Sequence, residues 1–238
     1  MILLKGYSGC KVELLDGIVR KTSKDLPYNK RLLMQIQKQQ RFSHPTIKTP
    51  KVLDIGFKDK LLYFDMEYIK GESFTEYCSY SKFSSIKNLF SKLLDIGDAP
   101  KRCIKSKVIA KCSTLPDFPL EVLDLVDWYV PNGDCHGDLT FENIIIKDGE
   151  IYLIDFLDSF VNSPLIDQGK LMQDTFTAWS YREKSSIPWH NLCLLNELLE
   201  TQRNYILLLI HLYRILPYAN NHDIPYISCK INQVKEKL

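Results

Sequence analysis

The run Cys135-His136-Gly137-Asp138-Leu139-Thr140-Phe141-Glu142-Asn143, with Ile154-Asp155-Phe156 beyond it, sets a carboxylate, an amide and a second carboxylate in an order that phosphoryl transfer can use. Asp138 can take the proton of an attacking hydroxyl, and Asn143 and Asp155 are oxygen donors able to hold Mg2+ against the phosphates of a nucleotide. Few groups are needed for this chemistry. Its transition state is loose, so positioning and charge neutralisation supply most of the acceleration.

Those residues need a carrier, and the surrounding pattern offers one. Ile144-Ile145-Ile146 and Ile151-Tyr152-Leu153-Ile154 are β-prone runs separated by Lys147-Asp148-Gly149-Glu150, and Asp-Gly between such runs signals a hairpin. The hairpin would put Asn143 at the start of one strand and Asp155 at the end of its neighbour. Ahead of it, residues 1–22 read as short strands with turns at Gly6-Tyr7-Ser8-Gly9 and Asp16-Gly17. A helix is expected from about Pro27 to Phe42, with Leu32, Leu33, Ile36 and Phe42 inward and Lys30, Arg31, Lys38 and Gln40 outward. Strands follow over Lys51 to Phe57 and Leu61 to Met66. Helical patterns then dominate, at about 72–80, 83–97, 117–129, 164–182 and 190–216.

The segment His136-Gly-Asp-Leu-Thr-x-x-Asn143 with Ile154-Asp-Phe156 resembles the motif of the aminoglycoside phosphotransferase and choline kinase-like family, strongest over residues 132–175. The resemblance implies an α+β, bilobal protein-kinase-like fold: residues 1–69 form a nucleotide-binding lobe with a small antiparallel sheet and one helix, and 70–238 a mainly helical lobe. It further implies Asp138 as catalytic base, His136 as support of the catalytic loop, and Asn143 and Asp155 as Mg2+ ligands. Gly6, Ser8 and Gly9 would border the phosphates of ATP, Lys21 in Ile18-Val19-Arg20-Lys21 would contact the α and β phosphates, and backbone groups of Glu67, Tyr68 and Ile69 would meet adenine.

Departures from the protein-kinase pattern narrow the expectation. Gly137 and Thr140 stand where a protein kinase has Arg after the motif His and Lys two places after the Asp. Phe156-Leu157-Asp158 lacks the Gly of the usual triplet, and Ser163-Pro164-Leu165-Ile166-Asp167 arrives soon after, leaving little room for a peptide-binding segment. The expected acceptor is therefore a small hydroxyl compound such as a sugar or amino alcohol. Kinases of this kind also pair the strand Lys with a helix Glu, yet no Glu occurs between Lys21 and Glu67; Gln35, Gln37 or Gln39 could orient Lys21 instead. That departure keeps a nucleotide-binding pseudokinase in view, beside a divergent bacterial protein kinase.

Asp167 is expected to be structural, near a helix N-terminus, whereas Asp158 could join the metal or acceptor site or lie in a solvated turn. Asp174, Trp179, Tyr181, Arg182 and Trp189 are candidates for acceptor contact, with packing as the alternative reading. The 238 residues, 45% hydrophobic, can bury a substantial core, and a net charge of +2 gives no support to a nucleic-acid partner. Seven scattered Cys without Cys-x-x-Cys spacing read as free thiols of a reducing cytoplasm. The apolar run Tyr205 to Leu216 is interrupted by His211 and Arg214, so no membrane span is expected.

Overall fold

The computed structural model describes residues 2–4, 9–97 and 99–238. By their contacts the residues divide into two units, Met1–Ser73 with Asn143–Asp158, and Phe74–Glu142 with Ser159–Leu238. A division at 69/70 was the expectation from sequence; contacts divide the chain after Ser73 and group the hairpin of Asn143 and Asp155 with the first unit.

In the first unit, β1 (Ile2–Leu4), β2 (Lys11–Leu15), β3 (Ile18–Thr22), β5 (Val52–Lys58) and β6 (Leu61–Glu67) form an antiparallel sheet in the order β1-β2-β3-β6-β5. α1 (Tyr28–Arg41) covers it. Strand alternation sends Leu62, Phe64 and Met66 of β6 and Val19 of β3 against Leu32 and Ile36 of α1. On the opposite face Arg20 meets its cross-strand partner Asp65 in a two-bond pair of 2.7 and 2.8 Å. The same alternation turns Lys21 toward the α1 side. A smaller sheet joins β4 (Ile47–Lys48), β7 (Glu72–Ser73), β10 (Ile144–Lys147) and β11 (Glu150–Leu153) in the order β4-β11-β10-β7. The hairpin expected from Asp148-Gly149 is β10–β11, with Ile144 opposite Leu153 and both turn residues at positive φ.

The second unit holds α2 (Phe74–Tyr80), α3 (Phe83–Leu94), the β8 (Lys101–Cys103) and β9 (Tyr129–Pro131) pair, α4 (Lys105–Cys112), α5 (Pro164–Thr175), α6 (Trp189–Glu197), α7 (Gln202–Ile215) and α8 (Asp223–Lys235). α7 is buried without a break from Asn204 to Tyr213, as expected of a helix that other elements surround. α5 packs on it closely. A Cβ on Gly169 would stand 2.6 Å from Cβ of Leu207, so glycine is what permits the approach.

Several expected elements are redrawn. The helix expected at 117–129 is only a 3-10 segment, Leu120–Leu125, which begins directly after Pro119. The 164–182 helix stops after Thr175, with Ala178 in the left-handed region at φ +54°. The 190–216 helix is two helices, the second opened by the Thr201 side chain accepting from Asn204 N–H. On α1, Leu33 is 41% exposed whereas Lys38 is buried, the reverse of the expectation. No helix among the described residues is long and apolar enough to cross a membrane.

Candidate active site

Lys21 sits on β3, 4% exposed, and its ammonium contacts the Asp155 carboxylate directly. The two residues are far apart in sequence and meet because β3 and the end of β11 lie in one unit. A second, long bond of 3.4 Å runs from Lys21 Nζ to Gln35 Oε1 on α1, and Gln35 Nε2 donates to the Tyr28 hydroxyl at 3.2 Å. Of the three glutamines offered by the sequence, Gln35 therefore faces Lys21. Gln39 instead donates to the Pro50 carbonyl and Gln37 is exposed. An amide in this position gives weaker charge assistance than a carboxylate would.

Asp155 has φ +62°, an uncommon conformation for a residue with a side chain, and its neighbours are held from α1. Lys38 Nζ donates to the Leu157 carbonyl at 2.6 Å, Arg31 pairs with Asp158 at 2.8 Å, and the Phe42 and Phe156 rings lie 5.2 Å apart. Residues 31, 35, 38 and 42 share one helical face at steps of four, three and four. Asp158 is thus an exposed partner of Arg31. Asn143 closes the β10–β11 end, its carbonyl accepting from Ile154 N–H at 3.0 Å.

In the second unit the loop of Asp138 is held from α5. The Asp167 carboxylate accepts from the N–H groups of both His136 and Gly137, the latter at 2.8 Å. His136 is fully buried and its Nδ1 accepts from Asp138 N–H at 3.3 Å. Gly137 adopts φ +91°, a conformation glycine supplies at little cost. Phe141 is fully buried and packs edge-on to Phe74 at 4.8 Å, while its N–H donates to Asp174 Oδ2 at 2.6 Å. Asp174 Oδ1 accepts from Ser180 N–H at 2.7 Å, beyond the end of α5. Burial pushes the Asp174 carboxyl up to about 6 despite these bonds.

Asp138 itself pairs with Lys170 of α5 at 2.9 Å. Burial works against its ionisation, but the Lys170 charge and hydrogen bond, with His136 and Arg214, prevail and hold its carboxyl below the usual range. Asp167, Lys170 and Asp174 also share one helical face, at steps of three and four. Lys170 escaped the sequence reading; its place one turn beyond Asp167 was the available signal.

The remaining candidates separate. Gly9 is in the left-handed region at φ +77°, while Gly6 and Ser8 lie outside the described residues. Glu67 N–H donates to the Lys51 carbonyl and Tyr68 N–H to the Gly17 carbonyl, and Ile69 is buried. Asp174 and Tyr181 are buried, Tyr181 donating to the Thr75 carbonyl, so burial removes both from the acceptor candidates. Arg182 lies over the Trp179 ring at 4.2 Å, and Trp189 is 46% exposed.

Residues 91–186, which hold Asp138, Asn143 and Asp155, match the model of the phosphotransferase enzyme family. No curated protein matches the chain in sequence. Among solved structures, a thermostable mutant of aminoglycoside phosphotransferase APH(4)-Ia in ternary complex with AMP-PNP and hygromycin B superposes with TM-score 0.66 at 15% identity, over 99% of this chain and 93% of that one. A choline/ethanolamine kinase family protein from Mesorhizobium loti gives 0.55 at 16%, over 99% and 87%. The streptomycin-ATP complex of APH(2")-IIa gives 0.56 at 14%, over 98% and 90%. The chain has the protein-kinase-like fold of the aminoglycoside phosphotransferases and choline/ethanolamine kinases, and its residues 91–186 carry the pattern of the phosphotransferase enzyme family.

Proposed function

We propose that the chain is an ATP-dependent kinase that moves the γ-phosphate to a hydroxyl of a small molecule. The observation that carries the reading is the buried Lys21 directed at Asp155, a cation and a carboxylate brought together from distant segments. Lys21 would bind the α and β phosphates, and the Asn143 and Asp155 side chains are hard oxygen donors that fit Mg2+. When bound, Mg2+ would neutralise charge developing on the phosphates. Asp138, ionised at neutral pH, would take the acceptor hydroxyl's proton. The Gly9 turn would border the phosphates. At the adenine position Glu67 and Tyr68 already use their N–H groups within the sheet, which leaves Ile69 N–H as the candidate donor.

For the acceptor, a compact sugar or amino alcohol remains our reading. A coupled ADP-release screen over sugars, sugar phosphates, amino alcohols and aminoglycosides tests activity and acceptor class together. Release stimulated by one class supports the reading, and label from γ-labelled ATP entering only protein would overturn it.

The amide of Gln35 beside Lys21 favours one second reading, a pseudokinase that binds nucleotide without turning it over. Saturable MgATP binding with no γ-phosphate transfer to any acceptor or to water would decide for it.

A further inference from the structure

Lys170 is 6% exposed, and its ammonium lies 2.9 Å from Asp138 Oδ1 and 3.1 Å from Gln173 Oε1. A buried ammonium is expensive unless paired, and here the pairing is with the carboxylate that the proposed reaction uses as base. Protein kinases place a Lys two residues after that Asp, where this chain has Thr140. We propose that Lys170 supplies the missing cation from α5, as the positioning residue of Asp138. The proposal rests on the kinase reading given above.

The geometry gives Lys170 two tasks. Its bond to Oδ1 fixes the plane of the carboxylate, so that Oδ2 takes the proton while the acceptor oxygen forms its bond to the γ-phosphorus. The bond from that phosphorus to the bridging oxygen breaks, its electron pair leaves with ADP, and Lys170 keeps its charge throughout. The second task is to hold Asp138 ionised at the pH of catalysis. The other groups facing this pair are His136 and Glu142 from the loop, Asp174 from α5, and His211 and Arg214 from α7. Burial keeps His211 neutral, with its pKa well below its ordinary value, and its Nε2 bonds the Ile166 carbonyl at 3.1 Å. Lys170 reaches Asp138 with a direct ion pair.

The test compares Lys170→Met, Lys170→Arg and Asp138→Asn with the wild-type chain in two readouts. The first is the pH profile of ADP release from MgATP with water as acceptor. Lys170→Met should lower kcat at least about tenfold, leave KM for MgATP within about twofold, and move the acidic limb up by about one pH unit. Lys170→Arg should restore the limb. An unchanged rate and limb overturns the proposal, as does a rate loss with an unmoved limb, which would signify packing alone. The second readout is the carbon-13 titration of the Asp138 carboxyl, which needs no turnover. Its midpoint should rise by about one unit in Lys170→Met, and an unmoved midpoint overturns the pairing. Should that variant fail to fold, Lys170→Gln carries the same expectation. Wild-type ADP release no greater than that of Asp138→Asn would sink the kinase reading, while the titration would still decide the pairing.

Discussion

The two units each present one motif carboxylate paired with an almost buried lysine, Asp155 with Lys21 and Asp138 with Lys170, yet they hold these pairs differently. Around Asp155 the ties include side chain to side chain: Lys21 to Asp155, Gln35 to Lys21 and Arg31 to Asp158, on a backbone at positive φ. Around Asp138 the ties are carboxylate to backbone, with Asp167 and Asp174 accepting the N–H groups of His136, Gly137, Phe141 and Ser180. Side-chain ion pairs can be exchanged for ligand charges at modest cost, whereas removing a buried acceptor leaves backbone donors without partners. In the proposed reaction this difference is useful. Lys21 and Asp155 would part to take phosphate and metal, while Asp138 keeps a fixed orientation.

The sharpest way to break the contrast is to remove a backbone acceptor. Asp167→Ala strands two buried N–H groups and should destabilise the chain by about 2–6 kcal/mol, at about 1–3 for each; denaturant midpoints measure it. A loss below about 1 kcal/mol would mean the loop of Asp138 is no better anchored than that of Asp155. On the other side, Lys38→Met leaves the Leu157 carbonyl without its α1 donor and should cost about 1–3 kcal/mol. Its effect on MgATP affinity should exceed its effect on kcat, since its bond is to the segment of Asp155.

Smaller effects sharpen the comparison. Gln35→Glu should tighten MgATP binding several-fold by giving Lys21 a charged partner, and Gln35→Leu should weaken it to a similar extent, measured by titration calorimetry. Unchanged affinity in both would mean the 3.4 Å contact contributes nothing. A further effect is one of pH. The folded Asp174 carboxyl, at about 6, holds its proton above the ordinary range near 3.8. The folded state therefore binds more protons between about pH 4 and 6, and this group's contribution to stability falls as pH rises through that window. Asp174→Asn lacks that decline. Its stability relative to the parent should rise from pH 4 to 7, and a flat difference would contradict the assignment.

The first unit was more legible in the sequence because its signals are local. The Asp148-Gly149 turn and its flanking β-branched runs define the hairpin within a dozen residues, and alternation places Lys21 on the α1 side. What the pattern hid were polar residues on buried helix faces. Lys38 reads as a solvated charge because its type outweighs its position, yet it is buried with its ammonium on the Leu157 carbonyl. Lys170 was hidden for the same reason, its partner lying thirty-two residues upstream in a loop. The helix breaks were missed because Ala178 turns into the left-handed region and Thr201 caps α7, features that periodicity does not report. Charged residues at steps of three and four with motif carboxylates are the signal to seek.

The most direct measurement pairs Asp138→Asn with Asp155→Ala, following MgATP binding and ADP release in both. The account predicts that Asp138→Asn binds MgATP within about twofold of the parent while turnover falls at least about a hundredfold, the scale of losing a general base. Asp155→Ala should abolish metal-dependent nucleotide binding. Equal and small effects of the two substitutions would contradict the account.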